Sequence, residues 1–270
     1  MGFDEIDLGN LFQIGYFYQV QEDLVARGYR VCVTEVSPAN TVAYRATQLS
    51  AQVDSILSYY SATKVNIIGH SMGGLDARYL VSSLGYASKV ASVSTVATPH
   101  RGSEFADVGL GVISLFGTAA EDALNEFLVL FGAGYNDSGS VSQDDARAAI
   151  QNLTTSFATT FNTNNPNQSG VYYQSWAGRT GTAAEVFLGT ENDRCGALCF
   201  SYGVMVLAGA GPNDGAVSVT SAQWGVYQGV IDADHFEEIG HTSALSQSTT
   251  FTDHKAFYAN IAQGLVGIGF

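Results

Sequence analysis

Ser71 is the residue whose setting most directly suggests chemistry. Residues 65–76 read Val-Asn-Ile-Ile-Gly-His-Ser-Met-Gly-Gly-Leu-Asp, so Ser71 lies in the pentapeptide Gly69-His70-Ser71-Met72-Gly73. Alone, with 30 glycines in 270 residues, that pattern arises by chance about 0.3 times in such a chain. Its flanks give it weight. Val65–Ile68 is a short β-branched run suited to a buried strand. Leu75, Arg78, Tyr79, Leu80 and Leu84 then keep helical spacing. A strand turning sharply into a helix lifts a serine to the apex of a nucleophile elbow, with the Met72 N–H aimed at a developing oxyanion. Gly69 and Gly73 leave room for that turn.

A serine hydroxyl needs a histidine to take its proton and a carboxylate to hold the imidazolium. In this architecture the acid and then the histidine follow the serine. His235, in Asp232-Ala-Asp-His, comes just after the apolar run Trp224–Ile231, where a base beyond a strand would stand. Asp214, on the turn Asn213-Asp-Gly, precedes it by 21 residues. Glu238, three residues after His235, is the reserve acid. His100 precedes these acids, His254 lies in a terminal helix, and His241 in a Gly-His-Thr-Ser turn is open to a base or a ligand role.

The remaining sequence supplies a frame for these groups. At 270 residues with 46% hydrophobic and 13% charged content, one large α/β domain over residues 1–270 is expected. A net charge of −14 leaves too few cations for a phosphate-binding face, so nucleic acid is disfavoured. No run has the length of a bilayer span, and no leader-like start is visible. Helix and strand signals alternate through the first hundred residues, as a parallel sheet covered on both faces requires. Helices are expected around residues 17–25, 49–60, 72–84, 144–161 and 253–265. Strands are expected at 30–36, 65–69, 90–97, 171–177, 203–207, 217–219 and 224–231. An apolar, Gly-dotted stretch inside residues 104–165 is read as an inserted lid or as ordinary core helices. Cys32 is expected to be buried in its strand. Cys195 and Cys199 either close a small disulfide or remain free thiols.

Several segments together resemble the bacterial true-lipase family of Pseudomonas, Burkholderia and Proteus type. They are Gly-Phe-Asp-Glu-Ile at 2–6, the Ser71 run, Thr-Pro-His-Arg-Gly-Ser-Glu-Phe-Ala-Asp at 98–107, Gln143-Asp-Asp-Ala, Ser175-Trp-Ala-Gly, Asn213-Asp-Gly and His235-Phe-Glu-Glu-Ile. The resemblance implies an α/β-hydrolase fold with a helical lid and a Ser71–Asp214–His235 triad. It also implies secretion and hydrolysis of triacylglycerols or other carboxylic esters at a lipid–water interface, by a monomer. A short-chain carboxylesterase and a non-catalytic lipid-binding relative are the alternatives. No cofactor is needed for the chemistry.

Three departures stand out. Relatives carry an apolar strand and a His-Gly pair just ahead of the Gly-Phe-Asp segment. That first oxyanion-bearing strand is missing here, Met1 standing at or beside the second oxyanion donor, and an N-terminal truncation is the expected reason. Loss of such a donor costs about a hundred- to a thousandfold in rate. Relatives also bind a structural calcium. Its ligand positions fall here on Glu237 and on Asp193 or Asn192, with His241 in place of a carbonyl-bearing Gln. Thr220 stands where relatives have half of a disulfide.

Overall fold

The computed structural model describes residues 5–7, 13–116, 143–241 and 248–270. A short antiparallel pair, β1 (Glu5–Asp7) and β2 (Gln13–Gly15), leads into α1 (Val20–Ala26) and α2 (Val42–Tyr60). Next come β3 (Val65–His70), α3 (Met72–Ser82), β4 (Val90–Val96) and α4 (Glu104–Phe116). After α5 (Gln143–Gln151) and α6 (Thr155–Asn164), β5 (Tyr172–Arg179) returns to the sheet. The chain continues through α7 (Ala183–Phe187), α8 (Cys199–Leu207), α9 (Val219–Ala222), β6 (Val226–Asp232) and α10 (His254–Gly267).

Among the described residues the main sheet is four-stranded, in the order β3-β4-β5-β6, and every pair is parallel. Parallel sheets need both faces covered, and the apolar spacing of the helices provides this. Leu49, Val53 and Leu57 of α2, with Leu80 of α3, pack on Val65 and Ile67. Val20 and Leu24 of α1 and Tyr258, Ile261 and Leu265 of α10 pack on Ile68, Val96, Trp176 and Ile231. The register sets His70 beside Val96 and Val96 beside Trp176. The carboxyl ends of the strands therefore share one edge, where ligand sites of open α/β sheets lie.

The structure corrects five local expectations. Residues 30–36 form no strand and run as irregular chain, with Cys32 an exposed free thiol rather than a buried one. Residues 203–207 belong to helix α8. Short apolar runs do not distinguish strand from helix by periodicity, and Ser201, Tyr202 and Met205 supply its buried face. Residues 217–219 lead through one isolated bridge into α9. The expected helix at 144–161 is two helices, because the Thr154 side chain caps a fresh start by accepting from Phe157 N. Of the two readings left open for Cys195 and Cys199, the disulfide is the one observed.

Residues 117–142, the middle of the expected lid, lie outside the described residues. Its flanks are part of the body. Ala106, Ala146, Ala149, Ile150 and Phe161 share a core with Val42, Met72 and Leu75.

Candidate functional site

Ser71 sits between β3 and α3 at φ 53° and ψ −134°. A non-glycine residue held in such a conformation costs about 1–3 kcal/mol and persists only where its surroundings enforce it. Here they do: Ser71 N donates to Val96 O at 3.0 Å, and Thr98 Oγ1 donates to Ser71 O at 2.8 Å. A Cβ on Gly69 would lie 2.8 Å from Gly74 N. Gly74, one residue beyond the pentapeptide, is the second close approach, since its Cβ would meet Thr98 Oγ1 at 2.1 Å. Met72 opens α3, so its N–H is among the four that an α-helix leaves without an internal partner. The positive end of the helix dipole lies at the same point. Met1, expected as the other oxyanion donor, lies outside the described residues.

Asp214 and His235 come together as expected. His235 Nδ1 and Asp214 Oδ2 are 2.8 Å apart, and both residues are buried. Asp214 Oδ1 accepts from Ala216 N at 2.8 Å and from Val217 N at 2.7 Å. The main chains are also tied, His235 N donating to Asp214 O at 3.0 Å. Asn213 makes the turn that allows this, its Oδ1 accepting from Gly215 N at 2.9 Å. The carboxylate is thus held at Oδ1 by two backbone amides and at Oδ2 by the imidazole. The His235 ring lies 4.4 Å, centroid to centroid, from the ring of His70, the residue joined to Ser71.

Behind these groups stands a second buried network. Tyr16 Oη and His70 Nδ1 are 2.6 Å apart, and His70 Nε2 is 2.8 Å from Glu238 Oε2. Burial, reinforced by the His235 charge, drives the His70 pKa well below that of free histidine, so the ring is neutral. Burial and the neighbouring Asp214 charge push Glu238 well above the usual carboxylate range. Glu238 is therefore a neutral acid and adds no charge beside the Asp214–His235 pair. His70, His235 and Glu238 offer atoms close enough for a metal ion, but both His70 nitrogens are already hydrogen-bonded. Gly178 admits the network, since a Cβ there would lie 1.8 Å from Glu238 Oε1.

The segment 98–107 acts as a bracket between the elbow and the acid loop. Arg101 Nη1 donates to Thr220 O and Gln223 O at 2.7 and 2.6 Å. Ser103 Oγ donates to Ala216 O at 2.7 Å, directly behind Asp214. Asp107 holds the start of α6 by accepting from Thr155 N at 3.1 Å and Thr155 Oγ1 at 2.8 Å. His100 is structural: Arg78 donates to its Nδ1 at 3.1 Å, and its Nε2 meets Thr95 Oγ1 at 2.9 Å. Arg78 itself lies 3.6 Å from the Trp224 ring centroid and 5.0 Å from that of Phe161, and burial lowers its pKa to about 9. His254 bonds Tyr18 O at 2.7 Å, away from these groups. His241 N donates to Phe236 O at 3.0 Å, and its ring lies 6.5 Å from that of Tyr16.

Sequence reasoning missed Tyr16, His70, Gly178 and the bracket's role, and gave Glu238 only a reserve part. Three of these carried a signal. His70 abuts the serine, Glu238 follows the base by three residues, and 98–107 is a highly specific segment of the resemblance.

The two residues assigned to calcium are also adjacent. Asp193 and Glu237 are both buried, and the Asp193 charge bears on Glu237. Each keeps one oxygen, Asp193 Oδ2 and Glu237 Oε2, buried with no hydrogen-bond partner. Burial raises both, and the Asp193 and Asp234 charges help push Glu237 up to about 8. Asn192 is turned elsewhere, donating to Asp232 Oδ2 at 2.9 Å.

Residues 36–115 match the model of the PGAP1-like alpha/beta domain. The chain is 35% identical over 213 residues to a triacylglycerol lipase of Pseudarthrobacter phenanthrenivorans, covering 77% of this chain and 63% of that one. It is 31% identical over 284 residues to a triacylglycerol lipase of Vibrio cholerae, covering 99% and 85%. Among solved structures it resembles the Staphylococcus hyicus lipase at a TM-score of 0.64 and 18% identity, covering 99% and 94%. That likeness supports the α/β-hydrolase fold. The chain spans 56% to 63% of the length of two of the curated relatives it matches.

Proposed function

The chain belongs to the triacylglycerol lipase family, and from that premise we propose that it is a serine ester hydrolase acting on triacylglycerols or related carboxylic esters. The observation that carries this reading is the Asp214–His235 pair, 2.8 Å apart and buried, beside the strained Ser71 elbow. In the first step Ser71 Oγ attacks the ester carbonyl while His235 Nε2 takes its proton. Asp214 fixes the Nδ1–H tautomer and stabilises the imidazolium. The Met72 N–H and the α3 dipole stabilise the tetrahedral oxyanion. Collapse expels the alcohol, which takes the proton from His235. Water then cleaves the acyl-Ser71 ester by the same route, and His235 returns the proton to Ser71. The enzyme acts as a secreted monomer at a lipid–water interface. Among the described residues no helix is long and apolar enough to cross a membrane.

Ser71→Ala removes the nucleophile and should cut hydrolysis of emulsified trioleoylglycerol about 10⁴-fold or more with an unchanged circular dichroism spectrum. Undiminished turnover would refute the assignment. A chain-length series with and without emulsion separates a lipase from a short-chain esterase.

The donor set at Asp193 and Glu237 fits a hard cation, being all oxygen, buried and holding two orphaned carboxylate atoms. Calcium there would tie residue 193 to the segment just after His235, serving stability rather than chemistry. Adding Ca²⁺ to chelator-treated protein should raise the melting temperature by about 4 °C or more, and Glu237→Gln should abolish the response. An indifferent melt would mean that the pair holds only a proton.

A further inference from the structure

The turn that carries Asp214 leans on a disulfide loop that the hydrolytic steps do not use. Cys195 and Cys199 enclose the short turn Gly196–Leu198, which runs directly into α8. So small a ring constrains the unfolded chain less than a long loop would, and its reach is local. Two routes connect it to the acid. The first is a side chain. Leu198, only 2% exposed, is held within the ring by its N–H on Cys195 O at 2.7 Å and by Ser201 Oγ on its carbonyl at 2.9 Å. It presses on Gly215, the residue after the acid, where a Cβ would lie 2.6 Å from Leu198 Cβ. Gly215, at φ 91°, passes the chain on to Ala216 and Val217, whose amides hold Asp214 Oδ1.

The second route is main chain. Cys195 N donates to Gly181 O at 2.8 Å, and the neighbouring Thr180 N donates to Asn213 O at 2.9 Å. The disulfide loop therefore supports the acid turn on both sides of Asp214. Its two sulfurs differ in access, Cys195 being fully buried and Cys199 exposed.

We propose that the Cys195–Cys199 disulfide is a redox-sensitive latch on the acid turn, opened by a dithiol reductant. One thiolate of the dithiol attacks the exposed Cys199 Sγ. The bond between the two protein sulfurs breaks, and Cys195 leaves as a thiolate that takes up a proton. The reductant's second thiol then attacks its own mixed disulfide, and Cys199 leaves and is protonated in turn. The dithiol ends as a cyclic disulfide, having passed two electrons and two protons to the protein, which ends with two thiols. Opening frees Leu198 from Gly215, so the Ala216 and Val217 amides lose their support and Asp214 no longer holds His235 in one place. A misplacement of about 1 Å in a reacting group costs about a hundredfold in rate, so a partial slackening is enough to be read. The effect on turnover rests on the hydrolase reading; the effect on the turn does not.

The test uses the full chain carrying Cys32→Ser, since Cys32 is a free thiol that could exchange with the pair. Dithiothreitol is added, and a portion is alkylated so that mass spectrometry counts the opened cysteines. Amide exchange and hydrolysis of a soluble p-nitrophenyl ester are read on the remainder. Reduction should speed exchange at the Ala216 and Val217 amides about tenfold or more and lower kcat about tenfold with KM unchanged. The far-UV circular dichroism should stay constant, and reoxidation should restore both readings. Cys195→Ser combined with Cys199→Ser should begin at the reduced level and ignore the reductant. The latch is overturned if the disulfide resists the reductant in the folded protein, if it opens with these amides or kcat unchanged, or if opening unfolds the whole chain. Amides that respond in a protein that turns over no ester in either state would instead sink the hydrolase reading and leave the latch standing.

Discussion

The two flanks of the Ser71 elbow are built differently. On the β5–β6 side, Asp214, His235, His70 and Glu238 are buried and joined by hydrogen bonds at 2.8 Å, with Asp214 further held by two backbone amides. On the other side, β3 borders a 400 Å³ slot lined by half-buried Val and Ile side chains. Polar groups in a low-dielectric interior must be satisfied, which demands one geometry. Apolar walls tolerate vacancy at a lower cost, since an empty cavity forfeits contacts but orphans no charge. The acid–base side is therefore specified to the atom, while the strand side is specified only in shape.

If this contrast is real, equal insults should have unequal effects. The largest is expected at Gly178, where even the Cβ of Gly178→Ala overlaps Glu238 Oε1. Glu238 cannot retreat without losing His70, so denaturant unfolding should show a loss of about 2–3 kcal/mol, together with impaired hydrolysis. A loss below 0.5 kcal/mol would mean the network yields.

Next comes His100. Burial first, and then the Arg78 and Arg101 charges, hold its pKa well below that of free histidine. Its neutral-state bonds to Arg78 and Thr95 therefore stabilise the fold above pH 6.5, and this contribution declines as pH falls toward the folded-state value. The stability gap between the parent and His100→Gln should shrink by about 1.4 kcal/mol per pH unit below pH 6.5, read from urea titrations at pH 7 and pH 5. A gap that widens on acidification would reverse the assignment.

The smallest effect is expected in the slot. Val33→Ser should change stability by less than about 0.5 kcal/mol, because the Val33 side chain is exposed. A large loss would show that Val33 is packed as tightly as the acid–base side.

The same contrast governs what the sequence reveals. The elbow is legible because it is local: a β-branched strand, two glycines and an amphipathic helix lie within about twenty residues. The acid and base are legible by order along the chain and by turn chemistry, since Asn213-Asp-Gly is both a turn and a carboxylate mount. The Tyr16–His70–Glu238 network is not, because burial distinguishes a neutral Glu238 from a solvated one and no spacing encodes burial. Residues 30–36 carry a strand pattern, yet a strand exists only with a hydrogen-bonded neighbour. In α8 the β-branched residues of 203–207 conceal a helix whose buried face is set by Tyr202 and Met205. Cys195 and Cys199 show the limit from the other side, for spacing permits a disulfide but only the fold brings the sulfurs together.

The central claim is that Asp214 and His235 activate Ser71. Active-site labelling with a fluorophosphonate tests it most directly, with mass spectrometry locating the adduct and its rate followed in the parent, Asp214→Asn and His235→Ala. The account expects a single adduct on Ser71 and a rate lowered about 10³-fold or more in both variants. An unlabelled Ser71 in the folded parent, or equal labelling in all three proteins, would contradict it.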